Sequence, residues 1–68
     1  MLLYRLLTGP DDSAFCHKVS KAVSAGWQLH GSPAYTFDAK EGVRHCAQAV
    51  TKEVPGVEYE DAIRLSDY

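Results

Sequence analysis

The stretch GWQLHGSP, residues 26–33, decides how the chain is organised. Gly26 follows the helical pattern of residues 11–25, at the position where a helix C-terminus favours a left-handed residue, so we interpret it as the C′ glycine. From Trp27 onward apolar and polar side chains alternate, which indicates a strand with Trp27 and Leu29 on one face. We therefore expect the stretch to join a helix to a strand, with the indole ring packed beside the helix.

The residues before this stretch have the pattern of an amphipathic helix over about residues 11–25. Apolar side chains recur at helical spacing on one face, and charged or polar side chains occupy the other. The apolar set is Phe15, Cys16, Val19, Ala22 and Val23. Upstream, residues 9–13 supply N-cap candidates, a proline suited to the first helical turn, and carboxylates that favour a helix N-terminus. A helix start in this segment is therefore predicted.

Three segments are predicted as strands. LLYRLL, residues 2–7, is a short apolar run that ends at the turn-rich TGPDDS, so it is interpreted as the first strand. The second strand begins at Trp27 and continues irregularly through AYTF, and Pro33 places it at a sheet edge because proline lacks a backbone N–H. DAKEG, residues 38–42, is predicted as a five-residue hairpin loop. VRHCAQAVTKEV, residues 43–54, carries apolar residues on both faces and is predicted as the central strand.

These elements predict an α+β fold, a small β-α-β-β domain over residues 1–54. Its three-stranded sheet has the order 1-3-2, with the third strand central and antiparallel to the two outer strands. A right-handed crossover packs the helix on one face of the sheet. Residues 55–68 are interpreted as an acidic C-terminal tail, which we expect to lie across the other face of the sheet or across that of a neighbouring copy. Its one amphipathic segment contains Tyr59, Ile63 and Leu65.

A chain of 68 residues is expected to have a marginal core. A domain of this size buries only about 60% of the surface that its unfolded chain exposes, and small chains usually need a disulfide, a metal or a partner subunit. Alternation along the first strand gives each of its two faces a row with two leucines, so one row stays exposed whichever face meets the helix. The rows are Leu2, Tyr4 and Leu6, and Leu3, Arg5 and Leu7. Exposed apolar surface of this kind marks an interaction site.

Four motifs in a fixed order carry a family resemblance: YRLLTG, the FC early in the helix, GWQLHGSP and QAVTKE. Together they resemble a small uncharacterised bacterial family known as domain of unknown function 1737. The resemblance covers roughly residues 3–54. It implies no activity, cofactor or catalytic residue, because the family carries none that is established.

Composition argues against several function classes. Lys and Arg total 7 against 9 Asp and Glu, a net charge of -2, and no basic run exceeds two neighbours, so nucleic acid is not an expected partner. Arg5 interrupts the apolar start, which is too short for a signal sequence or a membrane span. Two cysteines without a secretory signal indicate reduced thiols. We therefore expect a cytoplasmic protein without a membrane partner.

The cysteines and histidines lack the spacing of a zinc site. Cys16 and His17 point about 100° apart on a helix. His45 and Cys46 are adjacent in a strand and face opposite sides. With one histidine such as His30, the two thiols remain one ligand short of a tetrahedral site. No metal or cofactor is predicted; Cys16 is interpreted as a small core side chain and the histidines as surface residues.

No catalytic site is predicted either. Cys16 lies near a helix start, which favours a thiolate, but two aspartates precede it and no base is within reach. Ser13 and His17 form an i, i+4 pair without a third group or an oxyanion-binding element. A cysteine- or metal-dependent enzyme is therefore the third choice among the functional hypotheses.

The first hypothesis is a non-enzymatic binding module that forms a homo-oligomer through sheet faces or edges. The alternative is a small-ligand binder that sequesters a nucleotide-like or other anionic metabolite at a subunit interface, where aromatic rings stack on a base and arginines meet phosphate. Its candidate ligand-binding residues are Arg5, Trp27, Tyr35 and Arg44. An anion at the helix N-terminus is a weaker variant, because Asp11 and Asp12 already occupy that end.

Overall fold

The structure is a computed structural model that describes residues 1–68. The three strands form one sheet of order β1-β3-β2, and both outer strands run antiparallel to β3. The predicted α+β fold with the third strand in the centre is confirmed. In chain order the elements are β1 (Leu2–Pro10), α1 (Ser13–Ser24), β2 (Gln28–Asp38), β3 (Val43–Glu53) and a 3₁₀ helix (Leu65–Asp67).

The first strand is longer than predicted. β1 continues through residues 8–10, and Pro10 pairs in register with His45. β3 is long enough to pair with these residues, and a proline is tolerated at the end of an edge strand because that position can lack a ladder hydrogen bond. The prediction that Pro10 lies in the first turn of the helix is therefore wrong, and α1 begins at Ser13.

Both ends of α1 are capped by residues that the sequence indicated. The Asp12 carboxylate accepts a hydrogen bond from the Phe15 N–H at 3.1 Å, so Asp12 is the N-cap. At the C-terminus Gly26 has φ +102°. The N–H groups of Gly26 and Trp27 donate back to carbonyls of the last turn, which is the Schellman pattern. The interpretation of Gly26 as the C′ residue is confirmed.

The core lies between α1 and the sheet. Trp27 is only 2% exposed, so the expectation that it packs beside the helix is confirmed. Cys16 is exposed, and its interpretation as a core residue is wrong. α1 packs mainly on β1, which turns Cys16 toward the space between α1 and β2. The five buried apolar residues are Leu3, Leu7, Ala22, Trp27 and Val50.

The irregularity predicted for the second strand is a bulge between His30 and Ala34. Gly31 has φ +73° there, a conformation that glycine adopts without strain. The buried Gln48 donates from Nε2 to the carbonyls of His30 and Gly31 at 3.4 and 3.3 Å. The same amide donates to the Ala49 carbonyl at 3.0 Å, so the buried Gln48 joins the bulge of β2 to the backbone of β3. Pro33 lies inside the bulge of an edge strand, as predicted.

The hairpin between β2 and β3 is closed by Asp38. Its Oδ1 accepts hydrogen bonds from the backbone N–H groups of Lys40 and Glu41, and its carbonyl accepts one from Gly42 at 2.7 Å. Because Asp38 is still part of β2, the loop comprises residues 39–42, one fewer than predicted.

The C-terminal tail, residues 55–68, folds back on the helix side of the sheet. Ile63, Leu65 and Tyr68 pack against the core. Lys52 Nζ donates to backbone oxygens of Ala25, at 2.7 Å, and of Tyr68, which links the end of α1 to the tail. The expectation that the tail lies across the uncovered face of its own sheet is wrong, because its apolar side chains fill space beside the helix.

Candidate functional site

The sheet face opposite α1, which we call the open face, carries a row of exposed apolar side chains on β1. Leu2, Tyr4 and Leu6 are 68%, 56% and 55% exposed. These exposures show that no other part of the chain covers the row, so the prediction of an exposed leucine row is confirmed. By strand register the open face consists of Leu2, Tyr4, Leu6, Thr8, Pro10, Gln28, His30, Ala34, Thr36, Asp38, Val43, His45, Ala47, Ala49, Thr51 and Glu53.

The large apolar side chains of the open face lie along one edge of the sheet, on β1, whereas the central strand β3 presents smaller or polar side chains there. Leu6 pairs in register with the half-buried Ala49, so the leucine stands beside a small side chain. Glu53 pairs with Leu2 at one end, and His30 flanks Ala49 on the β2 side. The exposed apolar area of the open face is therefore concentrated along its β1 edge.

Two of the predicted ligand-binding residues, Arg5 and Trp27, are brought together on the helix side. The Arg5 guanidinium carbon lies 5.3 Å from the centroid of the Trp27 ring, a cation–π contact. Because Trp27 is almost fully buried, its ring is a support for Arg5 and leaves little area on which a ligand could stack.

The other two, Tyr35 and Arg44, form a second pair near the N-terminus of α1. Tyr35 Oη donates to Asp11 Oδ2 at 2.7 Å. This hydrogen bond raises the pKa of Tyr35 above its usual value, and the nearby Arg44 partly opposes the shift. Tyr35 pairs with Cys46 in register, whereas Arg5 pairs with Val50. The two pairs are therefore separated by about 13 Å along β3.

The four candidate residues therefore do not form one cluster within a single chain. All four lie on the helix side of the sheet, in two pairs. The hypothesis of a joint ligand site at a subunit interface stays a prediction, and it requires a second copy to bring the pairs together.

A cleft of about 410 Å³ lies between α1 and the tail, and three cationic side chains line it. None of them is in an ion pair, since the one ion pair of the chain joins the Met1 ammonium group to Glu53. Lys18 and Lys21 were not among the sequence candidates. Their i, i+3 spacing was the only available signal, and it places them on one side of a helix without showing that Arg5 faces them. The lining residues are Arg5, Lys18, Lys21, Ala22, Ala25, Trp27, Ser66, Asp67 and Tyr68.

A second apolar surface lies between α1 and β2. Leu29 is 59% exposed there, on the helix side of the sheet. With Phe15 and Val19 of α1 and Pro33 of β2, it lines a shallow groove of about 290 Å³ beside Cys16. α1 leaves this part of the sheet uncovered because it packs mainly on β1.

The two cysteines are free thiols, with Cys16 exposed and Cys46 half-buried. Burial raises the pKa of the Cys46 thiol, and the Asp11 carboxylate raises it further, so this thiol is protonated at neutral pH and a poor nucleophile. The structure brings no three His, Cys, Asp or Glu side chains close enough to hold a metal ion.

A family model described as Domain of unknown function (DUF1737) matches residues 1–53. The match spans β1, α1, β2 and β3, and it confirms the resemblance seen in the sequence motifs. No curated protein and no solved structure matches the chain. Neither α1, with 12 residues, nor the short 3₁₀ helix could span a membrane.

Proposed function

The chain belongs to the family described as Domain of unknown function (DUF1737), and from that premise we propose that it is a non-catalytic binding module that self-associates through the open face. The observation that carries this proposal is the exposed row of Leu2, Tyr4 and Leu6, each more than half exposed on a face that no other element covers. Apolar rows of this kind on small domains mark protein–protein contacts.

The energetics of this row suit a reversible dimer. Complete burial of a leucine-sized side chain contributes about 1.5–3 kcal/mol. Three half-exposed side chains from each of two copies therefore contribute on the order of 5–10 kcal/mol. Association itself costs about 4–15 kcal/mol. Since the two quantities are similar, we expect a dimer whose population rises with protein concentration.

A second copy of the chain is the partner that the surface suits best. A two-fold axis through the open face sets the same apolar row against itself, which is the usual geometry of homodimers. The net charge of -2 per copy is small, so repulsion between copies is weak. The core of one copy contains only five buried apolar residues, so additional burial in a dimer would stabilise it.

Pairing through the β2 edge is a weaker alternative. Pro33 lacks an N–H, and the bulge between His30 and Ala34 interrupts the regular series of donors and acceptors that an added strand needs. The face is therefore favoured over this edge.

The non-catalytic part of the proposal is supported by the thiol chemistry. Cys46 has a raised pKa, which disfavours the thiolate that a nucleophile requires. We also propose a cytoplasmic location, where Cys16 and Cys46 would remain free thiols.

Sedimentation velocity across the micromolar range tests the proposal with two matched variants. Leu6→Glu places a carboxylate in the open face, and Leu29→Glu makes the same change at a leucine of similar exposure on the helix side. We expect the wild type and Leu29→Glu to dimerise with rising concentration. Leu6→Glu should weaken the dimer by about tenfold or more, because the new carboxylate would be buried without a partner.

Two results would contradict the proposal. One is a wild type that remains a monomer throughout the micromolar range. The other is an equal loss of the dimer in both variants, which would show that the open face has no special role. Circular dichroism of each variant establishes that the fold is retained.

A further inference from the structure

We propose that the cleft between α1 and the C-terminal tail binds a compact polyanion that carries phosphate or carboxylate groups. This site is separate from the proposed dimer surface, because the cleft lies on the helix side of the sheet and the open face lies on the other. Its volume of about 410 Å³ is within the range of metabolite pockets, roughly 300–1,000 Å³.

Arg5 is positioned for this role by Trp27. The guanidinium carbon lies over the buried indole ring, 5.3 Å from its centroid. The N–H donors of a guanidinium lie in its plane, so contact with the ring leaves them available to an anion. No carboxylate pairs with Arg5. The cation is thus held in place without being neutralised.

Two lysines of α1 add to the positive charge. Lys18 and Lys21 are three residues apart, on the same side of the helix, and both line the cleft with Arg5. Lys18 Nζ donates to the Thr8 carbonyl at 2.7 Å and keeps two further N–H donors. Three cations that share a cleft repel one another, and a bound anion would relieve this repulsion.

The negative end of the α1 dipole lies beside the cleft and opposes an anion. Lys52 reduces this effect, because its ammonium group donates to the Ala25 carbonyl at the end of the helix. Asp67 also opposes an anion, since it is the one Asp or Glu among the residues that line the cleft. Asp67 makes no ion pair with the three cations.

These charges predict effects of opposite sign. Removing a lysine charge should weaken anion binding, whereas removing the Asp67 charge should strengthen it. A non-specific effect of surface charge would not depend on position, so Lys40 in the hairpin loop provides a control with the same change of charge far from the cleft.

Fluorescence titration of the full chain tests the site, because Trp27 is its single tryptophan and Arg5 rests on the indole ring. The probes are inorganic pyrophosphate and citrate, added separately up to millimolar concentration. We expect a saturable change in Trp27 emission with at least one probe. Tighter binding of pyrophosphate would assign a phosphate-bearing ligand, and tighter binding of citrate a carboxylate-bearing ligand.

The variants then locate the site. Lys18→Gln and Lys21→Gln should each raise the dissociation constant about tenfold, as expected for loss of a hydrogen bond to a charged group. Asp67→Asn should lower it, and Lys40→Gln and Leu6→Glu should leave it unchanged. The proposal is overturned if neither probe gives a saturable change, if Lys40→Gln weakens binding as much as Lys21→Gln, or if Asp67→Asn weakens binding.

Discussion

The two faces of β1 carry leucines of the same kind in opposite environments. Leu3 and Leu7 are 2% and 4% exposed beneath α1, whereas Leu2 and Leu6 on the open face are more than half exposed. The four residues alternate along one strand, so neither residue type nor local conformation distinguishes them. The difference comes from the single helix, which covers one face of the sheet.

This comparison shows why a chain of this size leaves apolar surface exposed to a partner. A sheet with leucines on both faces needs a layer on each side. α1 supplies one layer, and the C-terminal tail adds to that same side instead of supplying the second. The layer that is missing from the open face is what the proposed dimer would provide.

The largest expected effect on stability comes from replacing a leucine on each face of β1. Leu7→Ala should lower the free energy of unfolding by about 2–5 kcal/mol, because it leaves a cavity in the core. Leu6→Ala should change it by no more than about 0.5 kcal/mol in the monomer, as a surface substitution does. Urea unfolding at protein concentrations below the dimer range measures both. Equal losses would show that the two faces contribute alike to the folded monomer.

A smaller effect is expected at two glutamines that also lie on opposite faces. Gln48→Met keeps the shape of the buried side chain but removes the donor to the His30 and Gly31 carbonyls, and should destabilise the fold by about 1–3 kcal/mol. Gln28→Met on the open face is the control and should have little effect. The role assigned to Gln48 would be wrong if both variants unfolded at the wild-type urea midpoint.

The smallest expected effect on stability concerns Tyr35, which lies near the N-terminus of α1. Its pKa is raised because the protonated phenol donates to Asp11. A pKa that is higher in the folded state gives stability that is complete below the unfolded value of about 10 and is lost as pH rises through the folded value. As the pH rises from about 10 through the folded pKa, the free energy of unfolding should therefore fall less in Tyr35→Phe than in the wild type.

An NMR titration that resolves the Tyr35 ring from the other three tyrosines measures the same interaction directly in the Asp11→Asn variant. The pKa of Tyr35 should fall when the carboxylate acceptor is removed. An unchanged pKa would show that the hydrogen bond to Asp11 does not persist in solution.

Much of the fold could be predicted because it follows from local patterns. The alternation in β1, the helical spacing from Phe15, and the glycine at position 26 each specify a conformation within a few residues. The apolar residues on both faces of β3 were enough to place that strand in the centre of the sheet.

The features that could not be predicted depend on how elements are placed relative to one another. The spacing of α1 does not reveal its position across the sheet, which exposes Cys16 and places Lys18 and Lys21 in the same cleft as Arg5. Similarly, the apolar residues of the tail indicated that it would pack, but not on which side. The long-range hydrogen bonds of Gln48 and Lys52 have no local signal.

The most direct test of the central claim is an isotope-filtered NOE experiment on an equal mixture of labelled and unlabelled chain. The claim predicts intermolecular contacts at Leu2, Tyr4 and Leu6, and none at the groove beside Leu29. A mixture without intermolecular contacts at concentrations well into the micromolar range, or with contacts at Leu29 alone, would contradict it.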